Sequence, residues 1–398
     1  MKINKTNIVL SLDRYFCGPY VVFCRWMKPI VTRFKPLMPD RVKEIVVAKY
    51  VGLGSILLIQ KLLFSLRREF PSARITFLTF DTNLDLMKSM NNSCDDVITI
   101  NTASLAGLIS SSFKSASLFR NRQIDLFLDM EFFSRYSALM CFFSRPYTSV
   151  GYESLLLNSR TSLYSHPAKF IPGAHITENY LNQLRTVGVE GVEGEESIVL
   201  ILQPSKTDLA QKRLKTLGLE PGEYVIFNPS SSDALGGYRK WPAKKWAELT
   251  ARVLEKEGLP IIFTGLQGDR VLVDEILLIV DEISGKGKAV FNLAGIPDFG
   301  EFLSLLHFSR LTVTIDSGTA HFAIGLKKNT VILFGPESPE VYGYDLPYCR
   351  VVYQGLYCSP CYNIHHGKKV ICRNENRCMT TITSEQVHKS ISELIKNA

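Results

Sequence analysis

The chain has 398 residues, 46% hydrophobic and 21% charged, with a formal net charge of +8. That length exceeds one typical domain and suits two, each with a sizeable core. The mild basic excess favours acidic partners such as nucleotides, phosphorylated glycans or an anionic lipid surface, and without a basic helix or an RNA-binding signature it argues against nucleic acid.

Residues 1–44 stand apart as an aromatic and basic extension, with Tyr15, Phe16, Tyr20, Phe23, Trp26 and Phe34 among many Lys and Arg. They read either as a segment resting on an anionic membrane or as an extra helix packed on the first domain. No apolar run here is long enough to span a bilayer, and a signal-peptide pattern is missing. The nine cysteines are odd in number and mostly isolated. The chain is therefore expected in the cytoplasm, with peripheral contact at the inner face of the membrane if the first reading of the extension holds.

A first α/β domain is expected over 45–200. KEIVVAKY (43–50) reads as a strand and runs into a glycine turn, GLGS (52–55), with Gly52, Gly54 and Ser55. ILLIQKLLFSLRREF has helical apolar spacing, stops at Pro71 and precedes a strand, RITFLTF (74–80), which makes a βαβ unit. DDVITI (95–100), IDLFLDM (124–130) and SVGYES (149–154) read as further strands, and SRYSALMCFFS (134–144) as a helix.

A second α/β domain is expected over 201–382, with a Cys-rich segment at 349–378, and a closing amphipathic helix over 383–398 in which Thr383 and Gln386 form a capping box. EYVIFNPS, LPIIFTG, AVFNLAG, RLTVTID and NTVILFG are apolar strands separated by helical segments. That alternation predicts a parallel sheet covered on both faces, and two such blocks predict two Rossmann-like domains facing across a cleft. Ligands of such sheets sit outside the carboxyl ends of the strands.

Four loops converge on that edge of the second sheet: the loop after FNPS with Ser230, Arg239, Lys240 and Trp241; the turn at Gly265–Asp269; LAGIPD; and IDSGTAH, with Asp316, Ser317, Gly318, Thr319, Ala320 and His321. Backbone N–H groups at a helix start, a cation and an imidazole suit a diphosphate, and Asp269 is the carboxylate nearest to take ribose hydroxyls. Each residue also has a plainer reading. Lys240 can be surface, His321 a buried hydrogen-bonded residue and Asp316 a helix cap. In CSPCYNIHHGKKVICRNENRC, Cys358, Cys361, Cys372 and Cys378 have a knuckle-like C-x-x-C spacing. They read as a structural zinc or iron site, as unligated structural cysteines or, less naturally, as redox thiols.

FNPSSSDALGGYRKWPAKKWAEL, followed by IIFTG, NLAG and IDSGTAHFAIGLKKNTVILFGPESPEVYGY, resembles glycosyltransferase family 9, the heptosyltransferases that add ADP-heptose to lipopolysaccharide core. The resemblance runs from about residue 45 to the C-terminus and is stronger in the second half. It implies a GT-B fold, inverting transfer that needs no metal, and a nucleotide-sugar donor, ADP-linked first, held by the DSGTAH turn and Lys240. The acceptor it implies is an anionic or lipid-linked glycan. The family's base is an Asp directly after the glycine of the first βα turn, where this chain has Ser55. The carboxylates closing IDLFLDME are the natural substitutes, Glu131 ahead of Asp129, with Asp125 inside the strand. The departure at Ser55 also motivates an alternative, a non-catalytic nucleotide-sugar-binding or assembly protein on the same fold.

Overall fold

The computed structural model describes residues 13, 17–31, 42–90, 94–153, 158–191, 198–230, 237–285, 289–296, 298–362 and 370–396. The chain divides into two compact units, one from Met1–Ile198 with Ile364–Gly367, the other from Val199–Asn363 and Lys368–Ala398.

The first unit begins with helix α1 (Cys17–Val31) and strand β1 (Glu44–Ala48), followed by α2 (Leu53–Leu58), α3 (Gln60–Glu69), β2 (Arg74–Phe80), α4 (Leu84–Ser89) and β3 (Asp96–Ile100). It continues through α5 (Leu105–Arg122), β4 (Leu126–Asp129), α6 (Arg135–Ser144), β5 (Thr148–Tyr152), α7 (Asn158–Thr161), β6 (His166–Ala168) and α8 (Ile176–Arg185). The strands form one parallel sheet in the order β3-β2-β1-β4-β5-β6. The central strands are apolar throughout because both faces are covered. One face carries α1, α5 and α6, whose Val21, Cys24, Phe119 and Phe142 share a core with Val46, Ala48 and Phe127. Ser104 and Ser134 cap α5 and α6 by accepting the N–H groups of Gly107 and Ser137. Helix α1 is thus part of this unit, which is the packed-helix reading of the extension.

The second unit repeats the plan with α9 (Pro204–Leu217), β7 (Val225–Asn228), α10 (Ala243–Lys256), β8 (Ile261–Phe263), α11 (Arg270–Ser284), β9 (Val290–Asn292), α12 (Phe299–Phe308) and β10 (Leu311–Ile315). Then come α13 (Gly318–Gly325), β11 (Thr330–Phe334), α14 (Pro339–Tyr342), β12 (Cys349–Tyr353), α15 (Arg377–Thr380) and α16 (Ser384–Lys396). Its sheet runs β12-β11-β10-β7-β8-β9, again parallel. Trp241 and Trp246 are fully buried beside Phe227 and Phe263, and the Trp241 Nε1–H donates to the Ile382 carbonyl at 3.1 Å. The predicted capping box is present: the Gln386 N–H donates to Thr383 Oγ1, and the Thr383 N–H to Gln386 Oε1.

In both sheets the strand order reverses once, between β1 and β4 and between β7 and β10. Such a reversal sends the following loops to opposite sides and leaves a crevice at the carboxyl ends.

Candidate functional site

In the second unit, β7 and β10 are paired so that Asn228 lies opposite Thr314. The loops that leave them bring the predicted donor residues together. Arg239 Nη1 donates to the Asp316 carbonyl at 2.8 Å and reaches its carboxylate at 3.3 Å, with both side chains largely buried. Asp316 is therefore not the helix cap; it ties the β7 loop to the β10 loop. Ser317 is the N-cap of α13 but makes no side-chain cap, its hydroxyl lying 3.1 Å from Thr314 Oγ1. The first turn of α13 then offers backbone N–H groups and the positive end of a helix dipole without a carboxylate or hydroxyl cap of its own. Ser317 and Gly318 are half-buried, whereas Thr319, Ala320 and His321 are buried, and the Ala320 N–H donates to the Ser317 carbonyl at 3.2 Å.

Lys240 is exposed. The loop that carries it is pinned by the Asn376 Nδ2–H on the Lys240 carbonyl at 3.2 Å. His321 Nδ1 lies 2.5 Å from the Tyr344 hydroxyl. Burial first, then the nearby Cys349, Tyr348 and Asp316, holds the Tyr344 phenol well above its ordinary range and so neutral. Tyr342 is held up in the same way, by burial and then by Glu337 and Asp316. His321 is thus a buried hydrogen-bonded residue, as its plainer reading has it.

Two expected donor contacts are turned inward. Asp269 accepts the Ser230 hydroxyl at 2.5 Å and the Leu266 N–H at 2.7 Å. Both bonds fall on Oδ2, which closes its own turn and joins it to the β7 loop. Gly265 is in its place for the same reason: a Cβ there would come within 3.0 Å of Asp269 Oδ2.

Sequence reasoning missed three residues on this edge. Asn228 closes β7 and is nearly fully buried. Its Nδ2–H donates to Thr264 Oγ1 at 3.0 Å, and its Oδ1 has no partner among the described residues. Glu337 and Tyr342 follow β11 inside GPESPEVYGY, a stretch that had marked the family pattern without suggesting roles.

The first unit's crevice is different. Glu131, expected as the base, is 6% exposed. Its Oε2 accepts Lys49 Nζ at 2.9 Å, and its Oε1 accepts the N–H groups of Tyr50 and Val51 at 2.8 and 2.9 Å. Lys49 is as buried as its partner. The carboxylate thus grips the segment between β1 and the Gly52–Ser55 turn, where Gly52 has a φ of +89° that favours glycine. Gly54 is buried and Ser55 half-buried at the start of α2.

Asp129 is fully buried. It accepts the hydroxyls of Tyr164 at 2.5 Å and Ser137 at 2.7 Å and meets Arg160 Nη2 at 3.4 Å. Burial pushes its carboxyl up, against the pull of Arg160 and of the Tyr164, Ser137 and Glu131 donors. The expectation that Asp129 presents a carboxylate to substrate is corrected: it is the counter-ion of a buried arginine. Asp125 accepts the Lys43 and Glu44 N–H groups.

Burial and then Cys361, Cys372 and Cys358 push the Cys378 thiol up to about 11. Cys361 is raised by burial and then by Cys372 and Cys358. The four cysteines therefore lie in one neighbourhood, yet among the described residues no group of three or more His, Cys, Asp or Glu is arranged to hold a metal ion. Raised thiols also make poor nucleophiles. His365 and His366, between the two cysteine pairs, lie outside the described residues.

With this geometry in hand, comparison with known proteins is informative. A family model, glycosyltransferase family 9 (heptosyltransferase), matches residues 112–370. Lipooligosaccharide heptosyltransferase 2 of Haemophilus ducreyi is 32% identical over 138 residues, 34% of this chain and 37% of that protein. The matched stretch thus spans little more than a third of that curated relative's length. Among solved structures, a glycosyltransferase family 9 protein from Veillonella parvula aligns with a TM-score of 0.72 at 21% identity, covering 91% of this chain and 99% of that one. The ADP-heptose lipopolysaccharide heptosyltransferase II of E. coli aligns with a TM-score of 0.68 at 20% identity, covering 89% and 99%. At these identities the structural likeness is one of fold.

Proposed function

Because this chain belongs to glycosyltransferase family 9, we propose that it is an inverting glycosyltransferase that moves a sugar, heptose from ADP-heptose in the first instance, onto a lipopolysaccharide or other lipid-linked glycan. The observation that carries this reading is the start of α13. Backbone N–H groups without a side-chain cap stand at the second unit's strand-order reversal, beside a loop that Arg239 draws in and that carries Lys240. That set suits a diphosphate, whose charge rises as the glycosidic bond to it breaks. N–H dipoles fixed by the helix, joined by Lys240 from the neighbouring loop, stabilise the departing nucleotide in this reading. The heptosyltransferase relatives favour ADP and a lipopolysaccharide acceptor over other pairs.

In this reading Glu131 is a positioning residue. It fixes Tyr50 and Val51, and through them the Gly52–Ser55 turn. The carboxylate engagements in the first unit also keep the non-catalytic alternative in play, and one experiment separates the two. The full chain is titrated calorimetrically with ADP, UDP, GDP and CDP, then incubated with ADP-heptose and de-heptosylated lipopolysaccharide, and the product's anomeric configuration is read by NMR. Selective ADP binding with transfer and inversion is expected. ADP binding without transfer to any lipopolysaccharide acceptor would establish the binding-protein alternative. Failure to bind any nucleotide would overturn the assigned donor site.

A further inference from the structure

Helix α1 has one face that the fold uses and one that it does not. Val21 and Cys24 are buried in the first unit's core against α6. Lys28 Nζ donates to the carbonyls of Ser162 and Tyr164 at 2.5 and 2.8 Å. The helix is thereby fixed in rotation. At about 100° per residue, the opposite face has Trp26 at its centre, Val22 and Phe23 on either side, and Tyr20 and Arg25 at its margins. Trp26 is 80% exposed, Phe23 64%, Tyr20 62% and Val22 50%. The same side of the sheet shows more apolar surface, at Phe143 on α6 and at Leu105, Ile109 and Phe113 on α5, which packs against α6. A soluble surface rarely leaves so many large apolar groups together without a partner.

We propose that this face of α1 docks the protein on an anionic lipid bilayer. Charge selects that occupant. The first 44 residues hold nine Lys or Arg against three Asp or Glu, a net +6 out of +8 for the whole chain. A helix with Trp, Phe and Tyr on its outer face and Arg25 at its margin, within a basic stretch of sequence, suits the headgroup boundary, where aromatic rings partition and cations meet anionic lipid. A second copy of the chain is disfavoured, because a two-fold contact would oppose two segments of net +6. The helix lies on the surface and does not span: among the described residues no helix is long and apolar enough to cross a membrane. The inference does not depend on the transfer reading, since it rests on α1 alone.

The test is flotation of the full-length protein with vesicles of phosphatidylcholine alone or of phosphatidylcholine mixed with phosphatidylglycerol, without donor or acceptor. Binding to the mixed vesicles only is expected. Phe23→Ser with Trp26→Ser should weaken it at least about tenfold, and Arg25→Glu about fivefold. Both variants should keep the wild-type thermal midpoint, because the altered side chains point outward. Equal binding to both vesicle types, no binding to either, or unaltered binding by the variants overturns the proposal. So does a concentration-dependent dimer that the double variant abolishes, which would assign the face to a second copy.

Discussion

The two units have the same sheet order and the same reversal point, yet they use the carboxylates there differently. In the first unit the crevice carboxylates are engaged from within: Lys49, Tyr50 and Val51 take both oxygens of Glu131, and Arg160, Tyr164 and Ser137 surround Asp129. Tyr50 Oη and Arg160 Nε have no partner among the described residues, and the helix start at Gly52 has no side-chain cap. In the second unit the corresponding edge leaves an uncapped helix start and an unpartnered Asn228 Oδ1. Buried polar groups without partners cost stability. What differs is the carboxylates: in the first unit Glu131 and Asp129 hold loops and a buried arginine, whereas in the second Asp316 ties in the loop that carries Lys240 beside the start of α13. We propose donor binding for the second unit and loop positioning for the first, a contrast that can be broken at several points.

The largest effect should come from Asp129→Ala. Arg160 and Asp129 are both fully buried, and removing one partner leaves the other charge unpaired. A loss of about 3–5 kcal/mol is expected in urea unfolding, while nucleotide affinity of the folded protein stays as in the wild type. A loss below about 1 kcal/mol would mean that the carbonyls of Phe132 and Tyr152, which Arg160 Nη1 also meets, hold the guanidinium unaided.

Next is Lys240→Ala. A charge-assisted contact to diphosphate is worth about 1.5–3 kcal/mol, so nucleotide affinity should fall roughly tenfold to a hundredfold with stability unaltered. Unchanged affinity would place the diphosphate elsewhere.

Glu131→Gln tests positioning against base catalysis. Gln keeps an oxygen for the Tyr50 and Val51 N–H groups but loses the ion pair with Lys49. As a positioning residue its replacement should raise the acceptor KM and lower kcat by about tenfold, with the pH profile retained. A fall of a thousandfold or more in kcat, with loss of the acid limb, would reinstate Glu131 as the proton acceptor.

Much of this was legible in the sequence where burial alone decides. RITFLTF is read residue for residue as β2, because a strand covered on both faces is a continuous apolar run. The capping box at Thr383 is local chemistry and was equally readable. Helices α5 and α9 were not seen. Among the described side chains, α5 buries only Ser115, Ala116 and Phe119, its Leu105, Ile109 and Phe113 lying exposed, and α9 buries only Ala210 and Leu214, so neither buries an apolar stripe. In the site, sequence placed residues at the right edges but could not say where their side chains turn. Glu131 sits at the predicted strand end, yet its fate is set by Lys49, 82 positions away. Asp269 lies beside Gly265 as expected, but Ser230 and the Leu266 N–H meet its Oδ2. Such long-range pairings leave no periodic trace.

The smallest effect, and the one that distinguishes the units by sign, is that of pH. Asp298 caps α12 through the Glu301 N–H at 3.0 Å and pairs with Lys206. Partial burial works to raise its carboxyl, but the Lys206 hydrogen bond, the Glu301 N–H, the Lys206 charge and the Gly300 N–H outweigh it and hold the group below its ordinary value. A depressed carboxyl stabilises the fold above the unfolded pKa, and that stability is lost as pH falls through the folded one. Asp298→Ala should therefore cost about 1 kcal/mol near neutrality, discounted for the partly exposed pair. The difference from wild type should vanish in acid, below the ordinary carboxylate range. Asp129 is held up by burial, so its sign is reversed: its contribution is fully present below the unfolded pKa and is lost as pH rises through the folded value. Unfolding free energies of Asp298→Ala and wild type measured across the acid range test this directly. A gap that stays constant into acid would mean that the cap hydrogen bond survives protonation and that the Lys206 charge contributes nothing.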